Sequence, residues 1–417
     1  MTEYGLRFVL QADWVLPSSR ESIVEKHGQN ELICQNVSAV FAQAVQCFLD
    51  KAGRYGETQQ DHELRAHILT LLFAFVPVAK EVRGYMGGFM TGVATDIADL
   101  LKCMECVPVT RVTQSQSDAN VEQKESDEAE TTSTTTTTAT EAEPVYVREL
   151  VEPGMSVQLP RVIDEEDAVV TTERATDLKR MVTKAATVLA HLDLLSVDND
   201  VFVPPAVAES IGIRNFENDV ELQIDMLEAT TEAWTSVEDA HADAEFVAWL
   251  LEYISRSKPK VAEIKRLRRM KLFPLVNGVL SSCNDCFELN QKSSASAPVP
   301  RHPSLPIVSE DFINTIFEGA SGVTKLVRQR MKLSTTNGED FMLKYLVPLL
   351  EDATLDVQTN ISVLVYCKHQ CVGHQHKKKQ KSGSNAGPRK LHGSAESSIR
   401  QLANAMAKCY VVSSHNK

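Results

Sequence analysis

Between Gln114 and Glu143 the chain holds almost nothing that could be buried. Ser, Thr, Asp and Glu dominate, with an unbroken threonine run from Thr134 to Thr138. Ordering such a stretch costs about 1–2 kcal/mol per residue with no apolar burial to offset it, which predicts a disordered acidic linker. A linker there forces the 417 residues to fold as separate blocks. The expected division is 1–110, the linker 111–145, a block over 146–290, and a last block over 300–417 interrupted by a flexible basic insert at 373–397. With 43% hydrophobic and 24% charged residues the blocks have an ordinary globular composition. A formal net charge of -13 disfavours general binding to a phosphate backbone.

Two further features bound the setting. No run approaches the roughly 18–20 uninterrupted apolar residues of a membrane span, and Arg7 and Asp13 sit where a signal peptide needs an apolar core. Nine cysteines spread along the chain do not suggest a disulfide framework, so reduced thiols and a cytoplasmic or nuclear setting are expected.

Hydrophobic periodicity predicts an α+β, predominantly helical fold. Leu6 to Leu16, bulky and β-branched and closed by Pro17, suits a strand. Val37, Val40, Phe41, Ala44, Val45, Phe48 and Leu49 recur at helical spacing ahead of Gly53. Leu64, Ile68, Leu71, Leu72 and Phe75 mark a second helix ending at Pro77. Leu178, Met181, Val182, Ala185, Val188 and Leu189 mark a helical face in the next block, and Phe246, Leu250, Leu251 and Ile254 another. Asn277-Gly278 is the strongest hairpin signal in the chain. The segment Ile213 to Phe216 with its following helix has a counterpart in Met331 to Thr335 with its own. Phe246–Ile254 likewise matches Ile361–His369, and Leu267–Val276 matches Leu402–Val412, at a spacing of about 120 residues that points to a duplicated unit.

The stretch Phe8-Val9-Leu10-Gln11-Ala12-Asp13-Trp14-Val15-Leu16-Pro17-Ser18-Ser19-Arg20-Glu21-Ser22-Ile23 resembles the end of the ATPase module in sacsin-like and NO VEIN-like proteins. These belong to the GHKL superfamily of histidine kinases and heat-shock-chaperone-type ATPases. Ala208 to Phe216 and Leu272 to Gly278 resemble the helical repeats and Leu-Pro-Leu-x-x-Gly turns that follow that module. The resemblance implies the C-terminal portion of an ATPase module followed by two helix-rich, repeat-like domains.

Nucleotide binding in that superfamily needs an E-x-x-x-N helix, a D-x-G-x-G turn and a glycine-rich lid. Glu31 to Gln35 and Glu209 to Ile213 do not match the first pattern, no Asp precedes a Gly-x-Gly, and Gly84, Gly87, Gly88 and Gly92 lack a phosphate-cradling context. The expectation is therefore no cofactor, with ATP entering only if an upstream or partner ATPase half exists. Leu16 to Glu21 resembles the loop of the ninety-kilodalton heat-shock chaperone whose arginine reaches the ATP γ-phosphate. That likeness assigns Arg20 the phosphate contact, although Val24 stands where the chaperone has a polar residue. A surface pairing of Arg20 with Glu21 or Asp13 is the structural alternative.

Other constellations read as structural. Cys103/Cys106 and Cys283/Cys286 share C-x-x-C spacing but lie too far apart in sequence for a zinc ribbon. Cys367, Cys371, His374 and His376 form a tighter candidate metal cluster, weighed against incidental composition beside a lysine-rich insert. Lys258 to Lys271 reads as a charged helix with a solvated face, an RNA or acidic-partner patch being the alternative. Two functions follow: a non-catalytic chaperone-like or scaffolding segment that holds protein partners or clients, or half of a split ATPase completed by Arg20.

Overall fold

The computed structural model describes residues 5–20, 22–24, 26–55, 58–82, 87–113, 145–161, 172–289, 299–300, 302–318, 320–336, 341–351, 355–356 and 358–367. The fold is α+β and predominantly helical. Its contacts divide it into two units, Met1–Asp219 and Val220–Lys417.

In the first unit, α1 (Gly28–Ala52), α2 (Gln59–Phe75) and α3 (Gly87–Lys102) pack together. Thr58 and Asp61 close a capping box at the start of α2, satisfying backbone donors that the helix itself cannot. The helical faces expected from sequence are only half buried. Val37, Val45 and Leu49 enter the core from α1 and Ile68 and Leu72 from α2, whereas Val40, Leu64, Leu71 and Phe75 remain exposed. By length and composition α1 is also apolar enough to cross a bilayer, although Gln, Asn and Ser interrupt its apolar run.

Beside the helices lies a five-stranded sheet in the order β2-β1-β4-β3-β5. Its strands are β1 (Val107–Thr113), β2 (Val145–Val151), β3 (Ser156–Gln158), β4 (Leu195–Val197) and β5 (Arg214–Asn215). The β1 and β2 strands pair antiparallel from Val107↔Val151 to Thr113↔Val145. The acidic stretch thus joins neighbouring strands of one sheet, and the boundary expected between 1–110 and 146–290 falls inside a folded unit. The physical reason is the burial of Val107, Val109 and Val151, which a composition-based boundary does not weigh. Helix α4 (Thr172–His191) packs on β1 and β4, and α5 (Pro205–Ile211) leads into β5 through Gly212. Gly212 sits at φ 92, a left-handed cap that a side chain would strain.

The second unit opens with α6 (Val220–Glu232), α7 (Val237–Ala242), α8 (Ala244–Arg256) and α9 (Val261–Leu267). The Asn277-Gly278 hairpin forms as expected: β6 (Phe273–Pro274) pairs antiparallel with β7 (Leu280–Ser281), and Gly278 adopts φ 83. A parallel pair, β8 (Phe287–Glu288) with β9 (Ser334–Thr335), brackets α10 (Glu310–Phe317) and α11 (Ser321–Lys325). A last helix covers 358–367 and places Val363, Tyr366 and Cys367 against Phe287, Phe341 and Leu346. The expected counterpart strand at 402–412 and the insert 373–397 lie outside the described residues.

Candidate functional site

The sequence expectation of a strand over Leu6–Leu16 meets an unusual outcome. The chain there is extended and alternates in burial: Phe8, Leu10, Ala12 and Trp14 face inward, while Val9, Gln11 and Asp13 are exposed. This is the period of a half-buried strand. No strand lies beside it among the described residues.

Between this segment and α1 runs a groove of about 720 Å³. Its floor is α1, contributing Leu32, Val40, Phe41 and Phe48, and Phe75 closes one end from α2. The Phe8 and Phe41 rings meet at 5.2 Å, and Phe48 and Phe75 at 6.2 Å, so aromatic contacts tie the extended segment to α1 and α1 to α2. Among the described residues, Gln11 and Asn36 are the only polar ones in the lining. Val9 is 78% exposed, Val40 61% and Leu32 60%, values that mark apolar surface left for something to cover.

Beyond the groove the extended segment turns back under a single buried amide. Asn30, fully buried on α1, accepts from Val15 N through Oδ1 at 2.8 Å and donates through Nδ2 to Val15 O and Val24 O, each at 2.8 Å. Val24 N also donates to Val15 O at 3.0 Å. Residues 15 and 24 are thereby clamped together. Arg20 stands at the tip of the intervening loop, exposed, with its N–H on Pro17 O at 3.0 Å and a φ of 56. A left-handed conformation disfavours a residue with a side chain by about 1 kcal/mol, so the clamp over-determines this turn. Arg20 makes no ion pair among the described residues, and Glu21, one of its two expected surface partners, lies outside them.

The cysteine expectations resolve differently. Cys103 is exposed and Cys106 buried, whereas Cys283 and Cys286 are both buried. Burial pushes the thiols of Cys106 and Cys283 up to about 12, which opposes the thiolate a metal would need. Cys367 is buried in the second unit's core, and Cys371, His374 and His376 lie outside the described residues. Among the described residues no group of three or more His, Cys, Asp or Glu could hold a metal ion.

The charged helix around Lys265 is partly internal rather than solvated throughout. Arg266 reaches across to α6, where Asp225 accepts from Nη1 at 2.7 Å and Glu228 from Nε at 2.9 Å, and these carboxylates raise its pKa. Lys265, Arg269 and Lys271 line a cleft of about 1020 Å³ whose opposite wall carries Glu228 and Glu232, so the cleft is mixed in charge.

Sequence reasoning did not single out Asn30, Leu32 or Asn36. The available signal was the breadth of apolar residues on α1, which exceeds the single stripe a core-facing helix needs. Comparison with protein-family models, curated proteins and solved structures finds no match.

Proposed function

We propose that this chain is a non-catalytic, chaperone-like or scaffolding segment of the sacsin and NO VEIN type, which holds apolar stretches of protein partners or clients along α1. The observation that carries this reading is the groove itself. Covering Val9, Leu32, Val40 and Phe75 removes exposed apolar surface from water, and each side chain contributes on the order of 1 kcal/mol given its present partial exposure. The low polarity of the lining suits weak selectivity among apolar sequences, as a protein with many clients requires.

Light scattering from a heat-unfolded model protein tests the reading. The full chain suppresses aggregation, and the double substitution Leu32→Asp and Val40→Asp removes most of that effect while leaving circular dichroism unchanged, because both side chains are exposed. Equal suppression by the variant rules the groove out.

The second reading, half of a split ATPase in which Arg20 contacts the γ-phosphate, is supported by the clamped, outward Arg20 turn. An exposed guanidinium carried on that fixed backbone turn can offer two parallel donors to a phosphate. Its test is ATP turnover after mixing with a chain that supplies the E-x-x-x-N helix and D-x-G-x-G turn. Arg20→Ala lowers turnover by roughly 10³-fold under this reading, and an unchanged rate removes it.

A further inference from the structure

We infer that Phe8–Ala12 is an open strand edge, and that the groove's occupant is an extended polypeptide segment that pairs with this edge by β-addition. The inference rests on the groove reading above and specifies the chemistry of the partner.

Three observations converge on an extended occupant. The segment already has strand-like alternation, with Phe8, Leu10 and Ala12 turned inward and Val9 and Gln11 outward. Its backbone is unused: among the described residues Phe8 to Gln11 make no backbone hydrogen bond, and Ala12 only accepts from Trp14 N at 2.9 Å. Five consecutive residues, Phe8 to Ala12, line the groove, so an occupant lies against one edge of the segment and covers the N–H and C=O groups on that edge. A helix or an acyl chain laid in the groove would take them from water without replacing their hydrogen bonds, and a buried unpaired backbone group is costly. A strand fills the same space and supplies a partner for each group on the facing edge.

The geometry also limits the partner's sequence. Five residues of strand extend about 16 Å, matched by a partner of five or six residues. Alternate side chains of that partner face α1, where Leu32 and Val40 favour Val, Ile or Leu and Asn36 tolerates Thr. Proline is excluded on the pairing edge because it lacks the donor.

The probe is a fluorescein-labelled eight-residue peptide of alternating valine and threonine with a lysine at each end. Two isomers carry N-methyl groups on the amides of one edge or the other. N-methylation leaves side chains in place and removes donors. The full chain is expected to bind the parent peptide in a polarisation titration, to bind one N-methyl isomer at least tenfold more weakly, and to accept the other. Amides of residues 8–11 exchange rapidly in the free chain and gain protection with the parent peptide. Equal affinity for the parent and both isomers would overturn strand addition while leaving an apolar groove. Failure of all three peptides to bind would remove the groove reading as well. A doubled mass that Val40→Asp abolishes, with no peptide displacing it, would assign the groove to a second copy of the chain and overturn the proposal.

Discussion

Two short parallel strand pairs, one in each unit, share a backbone arrangement and differ in the side chains they carry. In the first, β3 meets β5 as Val157↔Arg214 and Gln158↔Asn215, and Gln158 O accepts from Phe216 N at 3.1 Å. In the second, β8 meets β9 as Phe287↔Ser334 and Glu288↔Thr335, and Glu288 O accepts from Thr336 N at 3.0 Å. Each later strand follows a left-handed residue, Gly212 at φ 92 or Lys332 at φ 61. The difference that matters for stability lies at the shared polar position. Gln158 donates through Nε2 to Val203 O at 3.1 Å and keeps a buried Oε1 that has no hydrogen-bond partner among the described residues. Glu288 is buried too, but both its oxygens accept from Arg328, with Nε at 2.8 Å from Oε2. Arg328 in turn lies 4.6 Å over the Phe317 ring. A neutral amide can leave one oxygen unpaired at modest cost, whereas a carboxylate in the same place requires a cation. Backbone geometry is therefore shared by the two units, and the third element that covers the strand decides the chemistry of the side chain.

The largest effect should come from making the second pair resemble the first. Glu288→Gln removes the charge that Arg328 answers, and the loss is expected at about 2 kcal/mol, below the value for a fully buried pair because the Arg328 side chain is 37% exposed. Urea denaturation read through Trp234 and Trp249, in a Trp14→Phe background, reports the second unit alone. Gln158→Met, which removes an orphan oxygen together with one hydrogen bond, should change the first unit's stability by no more than about 0.5 kcal/mol, read through Trp14 in a Trp234→Phe, Trp249→Phe background. Equal costs at the two positions would break the contrast.

The left-handed residues give the next, smaller effect, with opposite signs. Gly212→Ala should destabilise by about 1 kcal/mol from backbone strain alone, since nothing lies within 4 Å of an added Cβ. Lys332→Gly should stabilise by about 0.5 kcal/mol, because the strain relieved exceeds the added entropy of the unfolded chain. Thermal unfolding of the two single variants reads both signs, and a shared sign would mean the two turns are not equivalent.

Local features were legible in the sequence and long-range pairings were not. The Asn277-Gly278 turn and the helices ending at Gly53 and before Pro77 depend on residues adjacent in the chain, so their spacing announces them. The β1–β2 pairing joins residues separated by the acidic stretch, and no local pattern encodes that partnership. The segment over Leu6–Leu16 has the composition and burial alternation of a strand, yet a strand needs a neighbour, which composition cannot supply. Of the candidate site, Arg20 was visible through resemblance. Asn30 was hidden because a buried amide inside an apolar helix differs from a surface one only by what folds over it.

The two C-x-x-C pairs extend the contrast between the units with the least effect on stability at neutral pH. Iodoacetamide at pH 8 should modify Cys103 and Cys47, both exposed, while Cys106, Cys283 and Cys286 resist until the chain unfolds. Peptide mass mapping of native and denatured samples separates the groups. The same burial predicts an alkaline limit. With Cys34 held at about 11 and Cys106 and Cys283 at about 12, the folded thiols stay neutral through pH 9, whereas the unfolded ones begin to ionise as pH approaches their ordinary value of 9.0. As pH rises from about 9 towards 12 the unfolded chain releases these protons first, so stability falls across that window. Replacing Cys283 by Ala should flatten the fall for the second unit, and Cys106→Ala for the first. A slope that neither substitution changes would mean the buried thiols ionise as freely in the folded chain as in the unfolded one.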